Sequence, residues 1–283
     1  MAKQAENGVL TQTLKLTLIL RHSGTAIAVP FQSRTMTNQP LDGKSALLTG
    51  GARRVGRGIA LALARAGADV ALTFRSSRAE AAQTASEIES LGRRALAIEC
   101  DVRSEASVRA AVAATVGSFG RLDLVVNNAA VFASAPLDSL TLDQWDAVFE
   151  TNARGPFLVA REALTALRAA KGRIVNIGSL GGIHAWANHA HYCASKAALH
   201  SLTQAMAKAF APEVSVNCVA PGWIALEAEE IERGAGQAAH FASKTPMRRN
   251  GSVEDVAQAV LFFAAGPHFI TGQVLAVDGG LGL

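Results

Sequence analysis

Tyr192 is the only tyrosine in the 283-residue chain, and Lys196 follows it by four positions within a run, His191 to Ala209, whose pattern predicts a helix. Residues four apart share a helical face, so the phenol and the ammonium project together. A phenol near its ordinary pKa of about 10 exchanges protons poorly at neutral pH unless a nearby cation favours the phenolate. Lys196 is placed to supply that cation. Ser179 lies thirteen residues before Tyr192, just after a run, Arg173 to Ile177, that predicts a strand. A hydroxyl at the carboxyl end of that strand is placed to donate to a carbonyl oxygen. The three residues together suit proton transfer to a polarised carbonyl.

A second constellation suits a dinucleotide. The stretch Thr49-Gly50-Gly51-Ala52-Arg53-Arg54-Val55-Gly56-Arg57-Gly58 joins a predicted strand, Ser45 to Thr49, to a predicted helix, Val55 to Ala66. Glycines permit a tight turn and close approach of the backbone to a pyrophosphate, and a helix N-terminus offers amide donors and a favourable dipole. An NAD enzyme would place an acid at the end of the second strand for the ribose 2′-hydroxyl. Here Thr73-Phe74-Arg75-Ser76-Ser77-Arg78 contains none. Arg75 and Ser76, with Arg53 or Arg54, suit a 2′-phosphate, so NADPH/NADP+ is the expected cofactor. Asp101, after the third strand, is expected to face the adenine.

Positioning these residues requires alternating elements. Short apolar or β-branched runs predict strands at Ser45 to Thr49, Asp69 to Phe74, Arg94 to Glu99, Leu122 to Asn127, Arg173 to Ile177, Val214 to Val219 and Gln273 to Val277. Between them the pattern predicts helices at Val55 to Ala66, Arg78 to Leu91, Glu105 to Ser118, Leu142 to Arg168, His191 to Ala209 and Val253 to Ala264. Repeated βα units imply an α/β fold: a Rossmann-like, doubly wound parallel sheet of about seven strands in a single domain, with helices on both faces. Trp223 to Lys244 shows no clear strand and is read as a loop with short helices over the ligand crevice.

Composition agrees with a large core. Hydrophobic residues make up 49% and charged residues 18% of the chain, which excludes a disordered or collagen-like protein. The pI near 9.2 invites a nucleic-acid reading. However, residues 1 to 40 hold Lys3, Lys15, Arg21 and Arg34 against Glu6, or +3 of the net +4, and the other 243 residues carry 23 basic and 22 acidic side chains. A near-neutral body has no basic stripe for a phosphate backbone, so no nucleic-acid partner is expected. Cys100, Cys193 and Cys218 are scattered, which supports neither a disulfide framework nor a metal site and suits a cytoplasmic, reducing compartment. No stretch approaches the ~20 apolar residues of a membrane span. Residues 1 to 41 are read as a disordered N-terminal extension, of which the first 35 are a native tail, a targeting peptide or translation upstream of a start at Met36, and 42 to 283 as the catalytic domain.

These motifs, in this order, resemble the short-chain dehydrogenase/reductase family. The resemblance runs from about Leu41 to the C-terminus: Thr49-Gly50 with Gly56, Asn127-Asn128-Ala129-Ala130, Ser179, Tyr192-Cys193-Ala194-Ser195-Lys196, Pro221-Gly222, Ile270-Thr271-Gly272-Gln273 and Val277-Asp278-Gly279-Gly280. It implies hydride transfer between a nicotinamide and a small-molecule carbonyl or alcohol. Tyr192 would be the general acid, Lys196 would lower its pKa and bind the nicotinamide ribose, Ser179 would polarise the carbonyl and Asn152 would hold a proton-relay water. The family's cofactor contacts map onto Gly50, Arg53, Arg54, Val55, Gly56, Arg75, Ser76, Asp101, Val102, Asn128, Ala129, Ala130, Tyr192, Lys196, Pro221, Gly222 and Ile224. Family likeness also implies a homotetramer, assembled partly through the helices around Trp145 to Leu167 and Tyr192 to Ala209.

Within the family the sequence points two ways. Arg54 stands where the common pattern has a second glycine and, with Arg75-Ser76, looks like the pteridine reductase branch, which usually carries an aspartate at the position of Ser179. The serine looks instead like 3-oxoacyl-acyl-carrier-protein reductases, whose substrate class, possibly linked to an acyl carrier, is the favoured expectation. A non-catalytic NADP(H) sensor is the reading from another class, and the intact Ser179, Tyr192 and Lys196 count against it. His184, His189 and His191 are read as a solvated loop, and Trp186 and Trp223 as walls of an apolar pocket.

Overall fold

A computed structural model describes residues 19–22, 25–28, 39–226 and 235–283. The chain divides between Asn38 and Gln39. Where an extension without structure was expected, β1 (Ile19–His22) and β2 (Thr25–Ala28) pair as an antiparallel hairpin, with Arg21 opposite Ala26. The catalytic unit begins at Gln39, three residues before the expected boundary: the Leu41 amide donates to Ala66 O at 2.8 Å and the Leu41 side chain is buried.

In the second unit a seven-stranded parallel sheet runs in the order β5 (Ala95–Glu99), β4 (Asp69–Phe74), β3 (Ser45–Leu48), β6 (Leu124–Asn127), β7 (Arg173–Ile177), β8 (Ser215–Pro221) and β9 (Val274–Val277). Successive side chains of a strand point to opposite faces, and the central strands are apolar on both. Leu47, Val125 and Ile174 therefore enter one core, with Val108, Leu158 and Leu167. Their neighbours Leu48, Val126 and Val175 enter the other, with Ile59, Leu63 and Phe263. The first core lies under α3 (Glu105–Phe119), α5 (Gly155–Ala170) and the C-terminal half of α6 (Ala190–Phe210). The second lies under α1 (Arg54–Arg65), α2 (Arg78–Ser90) and α8 (Val253–Ala265).

Two departures from the expected elements bear on the site. The long helix predicted over Leu142 to Arg168 is α4 (Leu142–Phe149) and α5, joined by a single π-helical turn, Glu150–Arg154. Apolar periodicity runs through such a bulge without interruption, which is why the pattern reads as one helix. Within Trp223 to Lys244, a ten-residue helix, α7 (Ala235–Lys244), follows residues 227–234, which lie outside the described part. No helix among the described residues is long and apolar enough to cross a membrane.

Candidate active site

The sheet order reverses at β3 and β6, and the chain leaves the sheet's carboxyl edge there in opposite directions, which opens a crevice for a ligand. On the β3 side the turn into α1 is tightly held. Thr49 Oγ1 accepts from the amides of Asn128 and Ala129, each at 3.0 Å, and Asn128 Nδ2 donates to Thr49 O at 3.0 Å and Gly50 O at 2.9 Å. Gly50 has φ +66°, and a Cβ at Gly56 would stand 2.1 Å from Gly50 O, so the helix can start this close to the turn only at a glycine. Arg53 precedes α1 without capping it through its side chain. The amides of a helix N-terminus favour an anion.

Beside this turn lies a crevice of about 350 Å³. Twelve of the expected cofactor residues line it: Gly50, Arg53, Arg54, Val55, Gly56, Arg75, Ser76, Asp101, Val102, Asn128, Ala129 and Ala130. Among the described residues Asp101 is the only carboxylate in its lining, and it is committed to Arg103, whose guanidinium lies 2.6 Å away and holds that carboxyl below its usual range, with a smaller contribution from Arg75. Asn128 lines the crevice while its side chain holds the glycine turn. A helix N-terminus facing the crevice, a glycine cradle and exposed guanidinium groups fit a dinucleotide.

On the far side of β6, β7 ends at Ile177 and the chain passes through Gly178 and Ser179 into a 3-10 turn, Leu180–Gly182. Ser179 Oγ accepts from Gly181 N at 3.0 Å and its hydroxyl reaches the Tyr192 phenol. Lys196 Nζ donates to Ile177 O at 2.7 Å and stands 5.8 Å from the centroid of the Tyr192 ring. Serine, tyrosine and lysine are thus brought together as expected. Their electrostatics differ from the expectation. Burial pushes the Tyr192 phenol above its ordinary range, and the hydrogen bond with Ser179 opposes that shift. Lys196, 2% exposed and bonded to a backbone carbonyl, is itself pulled down to about 8 by desolvation.

The π-helical turn aims Asn152 inward, and its side chain is engaged on three sides. Oδ1 accepts from Val131 N at 2.8 Å, while Nδ2 donates to Val131 O at 2.9 Å and to Ser195 Oγ at 3.1 Å. Ser195 Oγ in turn donates to Tyr192 O at 2.7 Å. The Asn152 side chain thereby ties α6 to the strand-end loop at Val131. Pro221 ends β8, and Gly222 lines a second cavity instead of the crevice. Ile224 packs against the core below α1, beside Gly251, and its side chain is not part of the crevice lining.

That second cavity, of about 1050 Å³, borders Leu180 of the 3-10 turn and is walled by Phe132, Trp186, Trp223 and Phe241. Trp223 stacks on Phe241 with centroids 4.0 Å apart, so both tryptophans serve as pocket walls. Phe132 meets the Tyr192 ring edge-on at 4.8 Å. Of the three histidines read as a solvated loop, His184 and His189 line the cavity, whereas His191 lies in the first turn of α6 and is fully buried. The predicted helix already begins at His191, and it is the packing of its first turn that buries the ring.

Sequence reasoning missed Phe132, because nothing local marks an aromatic in a loop as a neighbour of the tyrosine. It also missed a buried polar chain. Asn127 Nδ2 donates to Asn176 Oδ1 at 2.8 Å, Asn176 Nδ2 to Thr203 Oγ1 at 2.8 Å, and Thr203 Oγ1 to Leu199 O at 2.8 Å. Two asparagines interrupting apolar strands were the available signal, since buried amides demand partners.

A doubly wound sheet with a dinucleotide crevice and a serine, tyrosine and lysine at its edge defines an oxidoreductase that uses a nicotinamide cofactor. Residues 50–282 match the family model described as enoyl-(acyl carrier protein) reductase, and the chain belongs to this family of short-chain dehydrogenases/reductases. It is 34% identical to the 3-oxoacyl-[acyl-carrier-protein] reductase of Staphylococcus aureus, over 84% of this chain and 98% of that protein. Among solved structures it is 36% identical to a blue fluorescent protein from a metagenomic library in complex with NADPH, covering 86% of this chain and 99% of that one at a TM-score of 0.79. It is 30% identical to an NAD+-bound xylitol dehydrogenase, covering 85% of this chain and 99% of that one, also at a TM-score of 0.79.

Proposed function

We propose that this protein is an NADPH-dependent reductase of a small-molecule carbonyl, with a 3-oxoacyl thioester as the leading substrate. The observation that carries the reading is the meeting of Ser179, Tyr192 and Lys196 at the carboxyl end of β7, with Phe132 of the aromatic cavity edge-on to the phenol. When bound, NADPH supplies the hydride. The chain's own residues do the rest. Ser179 donates to the carbonyl oxygen, and Tyr192 protonates that oxygen as negative charge develops on it. A phenol held above its ordinary range by burial remains protonated through neutral pH, which suits an acid in the reductive direction. Lys196, bonded to Ile177 O, holds a positive charge beside the tyrosine ring and a donor toward the nicotinamide ribose.

The choice of NADPH over NADH rests on Arg75 and Ser76, exposed at the end of β4 where no acid stands to accept from a 2′-hydroxyl. One solved relative is in complex with NADPH and another is bound to NAD+, so the preference is argued from these residues. The aromatic cavity has room for an acyl chain, and linkage of that chain to an acyl carrier belongs to the same proposal. So do a homotetramer and a cytoplasmic setting, the latter supported by the free, buried thiols of Cys100, Cys193 and Cys218.

A second reading, reduction of a pterin, is favoured by Arg54 in the glycine turn. The initial rate of NADPH oxidation with an acetoacetyl thioester and with a dihydropterin, side by side, separates the two. Faster turnover of the thioester is expected. Faster turnover of the pterin would move the substrate assignment to the other branch.

A further inference from the structure

Tyr192, Lys196 and His200 recur every four residues along α6 and so share one face, opposite the point where β7 ends. Each grips a different group there. The Tyr192 phenol meets the Ser179 hydroxyl, Lys196 Nζ donates to Ile177 O at 2.7 Å, and His200 Nε2 accepts from the Ser179 amide at 3.5 Å. The family motif accounts for the first two and leaves the third without a role. The His200 ring is 9% exposed and fills the space that two glycines leave open. A Cβ at Gly178 would stand 2.3 Å from its Nε2, and one at Gly182 would stand 2.6 Å from its Cε1. His200 lines neither cavity, and its hydrogen bond to the site runs to the Ser179 amide.

Accepting at Nε2 requires the neutral ring with its proton on Nδ1. Burial and the ammonium of Lys196, one turn away, both push His200 toward that form. Facing it from β8, Cys218 lies with Sγ 2.7 Å from the position of a Gly178 Cβ. Burial pushes its thiol up to about 12, so it adds no charge at neutral pH.

We propose that His200 is a positioning residue, whose Nε2 fixes the main chain at Ser179 and thereby aims the Ser179 hydroxyl at the carbonyl oxygen beside Tyr192. This rests on the carbonyl-reductase reading of the same site. A donor displaced by a fraction of an ångström loses much of its effect on a developing oxyanion, while ground-state binding is little altered. The signature is a fall in kcat with KM and NADPH affinity preserved.

The test compares His200→Phe, which keeps a ring but removes the acceptor, with His200→Gln, whose amide oxygen reaches about as far as Nε2, and His200→Asn, which is too short. With whichever carbonyl the wild type reduces best, His200→Phe and His200→Asn should each lower kcat by roughly 10-fold, leaving KM and the NADPH Kd from fluorescence titration within about twofold. His200→Gln should stay within about threefold of wild type, since it restores the acceptor. In a Ser179→Ala background, His200→Phe should cost less than about twofold more, because the group it positions is gone. An unchanged kcat in His200→Phe, equal losses in the Gln and Asn variants, or full additivity with Ser179→Ala would overturn the assignment. If His200→Phe does not fold, the contrast between Gln and Asn carries the test alone. A wild type that reduces no carbonyl would overturn the parent reading and this role with it. Turnover by the wild type with indifference to His200 would overturn only the latter.

Discussion

At the proposed catalytic corner, Ser179 and Lys196 are buried and bonded to backbone within four residues of the end of β7. On the other side of β3, at the rim of the crevice, Arg53, Arg54, Arg75 and Ser76 stand exposed. In the proposed reaction the two regions act on opposite physical terms. Buried groups are desolvated, so their protonation is displaced and their geometry is fixed by obligatory hydrogen bonds. Exposed guanidinium groups retain hydration, act mainly through charge, and can change without disturbing the core. Substitutions in the corner should therefore change chemistry, while substitutions at the rim should change affinity and cofactor preference.

The largest effect should come from Tyr192→Phe. It removes the acid while leaving the crevice intact, so kcat should fall by ~100-fold or more with the NADPH Kd nearly unchanged. Stopped-flow or steady-state oxidation of NADPH, paired with a binding titration, measures both. Undiminished turnover would take the phenol out of the mechanism and dissolve the contrast between the two regions.

Much of this division was legible before any coordinates. Spacing alone placed Tyr192 and Lys196 on one face, and the position of Ser179 after an apolar run placed it at the sheet's edge. The glycine turn, Arg75, Ser76 and Asp101 also followed from glycines and strand ends, because a βα turn fixes its location in the fold, whereas Val102 and Asn128 to Ala130 came from the family resemblance. What escaped were features that depend on contacts remote in sequence. The desolvation that raises Tyr192 comes from elements packed around it, and the engagement of Asn152 with Val131 and Ser195 spans 21 and 43 residues. The π-helical turn escaped because one extra residue barely disturbs a hydrophobic pattern.

The second effect concerns the charge stored in the corner. Lys196 sits at about 8 in the fold against 10.5 when unperturbed, so between these values the unfolded chain binds the extra proton. Stability then rises with pH across that window, by at most ~3 kcal/mol, and below about pH 8 the full cost of the buried ammonium is present. Tyr192 and Cys218, both raised, act in the opposite direction once their unfolded forms ionise. The diagnostic quantity is therefore the stability of wild type relative to Lys196→Met, from urea titrations at pH 7.5, 9 and 10.5. That difference should move in favour of wild type as pH rises. A flat difference would mean that the ammonium is effectively solvated and that the corner is not the desolvated region described above.

At the rim, Arg75→Asp reverses a charge beside the expected 2′-phosphate. Losing one charge-assisted hydrogen bond costs about 1.5–3 kcal/mol, so NADPH should bind roughly 10- to 100-fold more weakly while NADH changes far less. Because the interaction is exposed, the loss should shrink at high salt. Equal weakening of both cofactors would place Arg75 outside phosphate recognition. A fall in kcat at saturating NADPH would show that rim and corner are coupled.

The smallest effect probes where the two regimes meet. Arg54 opens α1 with φ +53°, a left-handed conformation that a side chain adopts at a cost of order 1 kcal/mol and that glycine adopts freely. The backbone thus explains why the common family pattern has glycine here. Arg54→Gly relieves that strain but gives the unfolded chain more freedom, so the net gain in stability should be below ~1 kcal/mol, visible as a slightly higher urea midpoint. Its guanidinium lines the crevice, so NADPH should weaken at the same time, by less than in Arg75→Asp, which reverses a charge instead of removing one. Gained stability with lost affinity would mean that strain is retained at this position in exchange for a cation near the phosphates. Lost stability would mean that contacts of the Arg54 side chain outweigh the strain, and the residue would then belong with the structured corner and not with the rim.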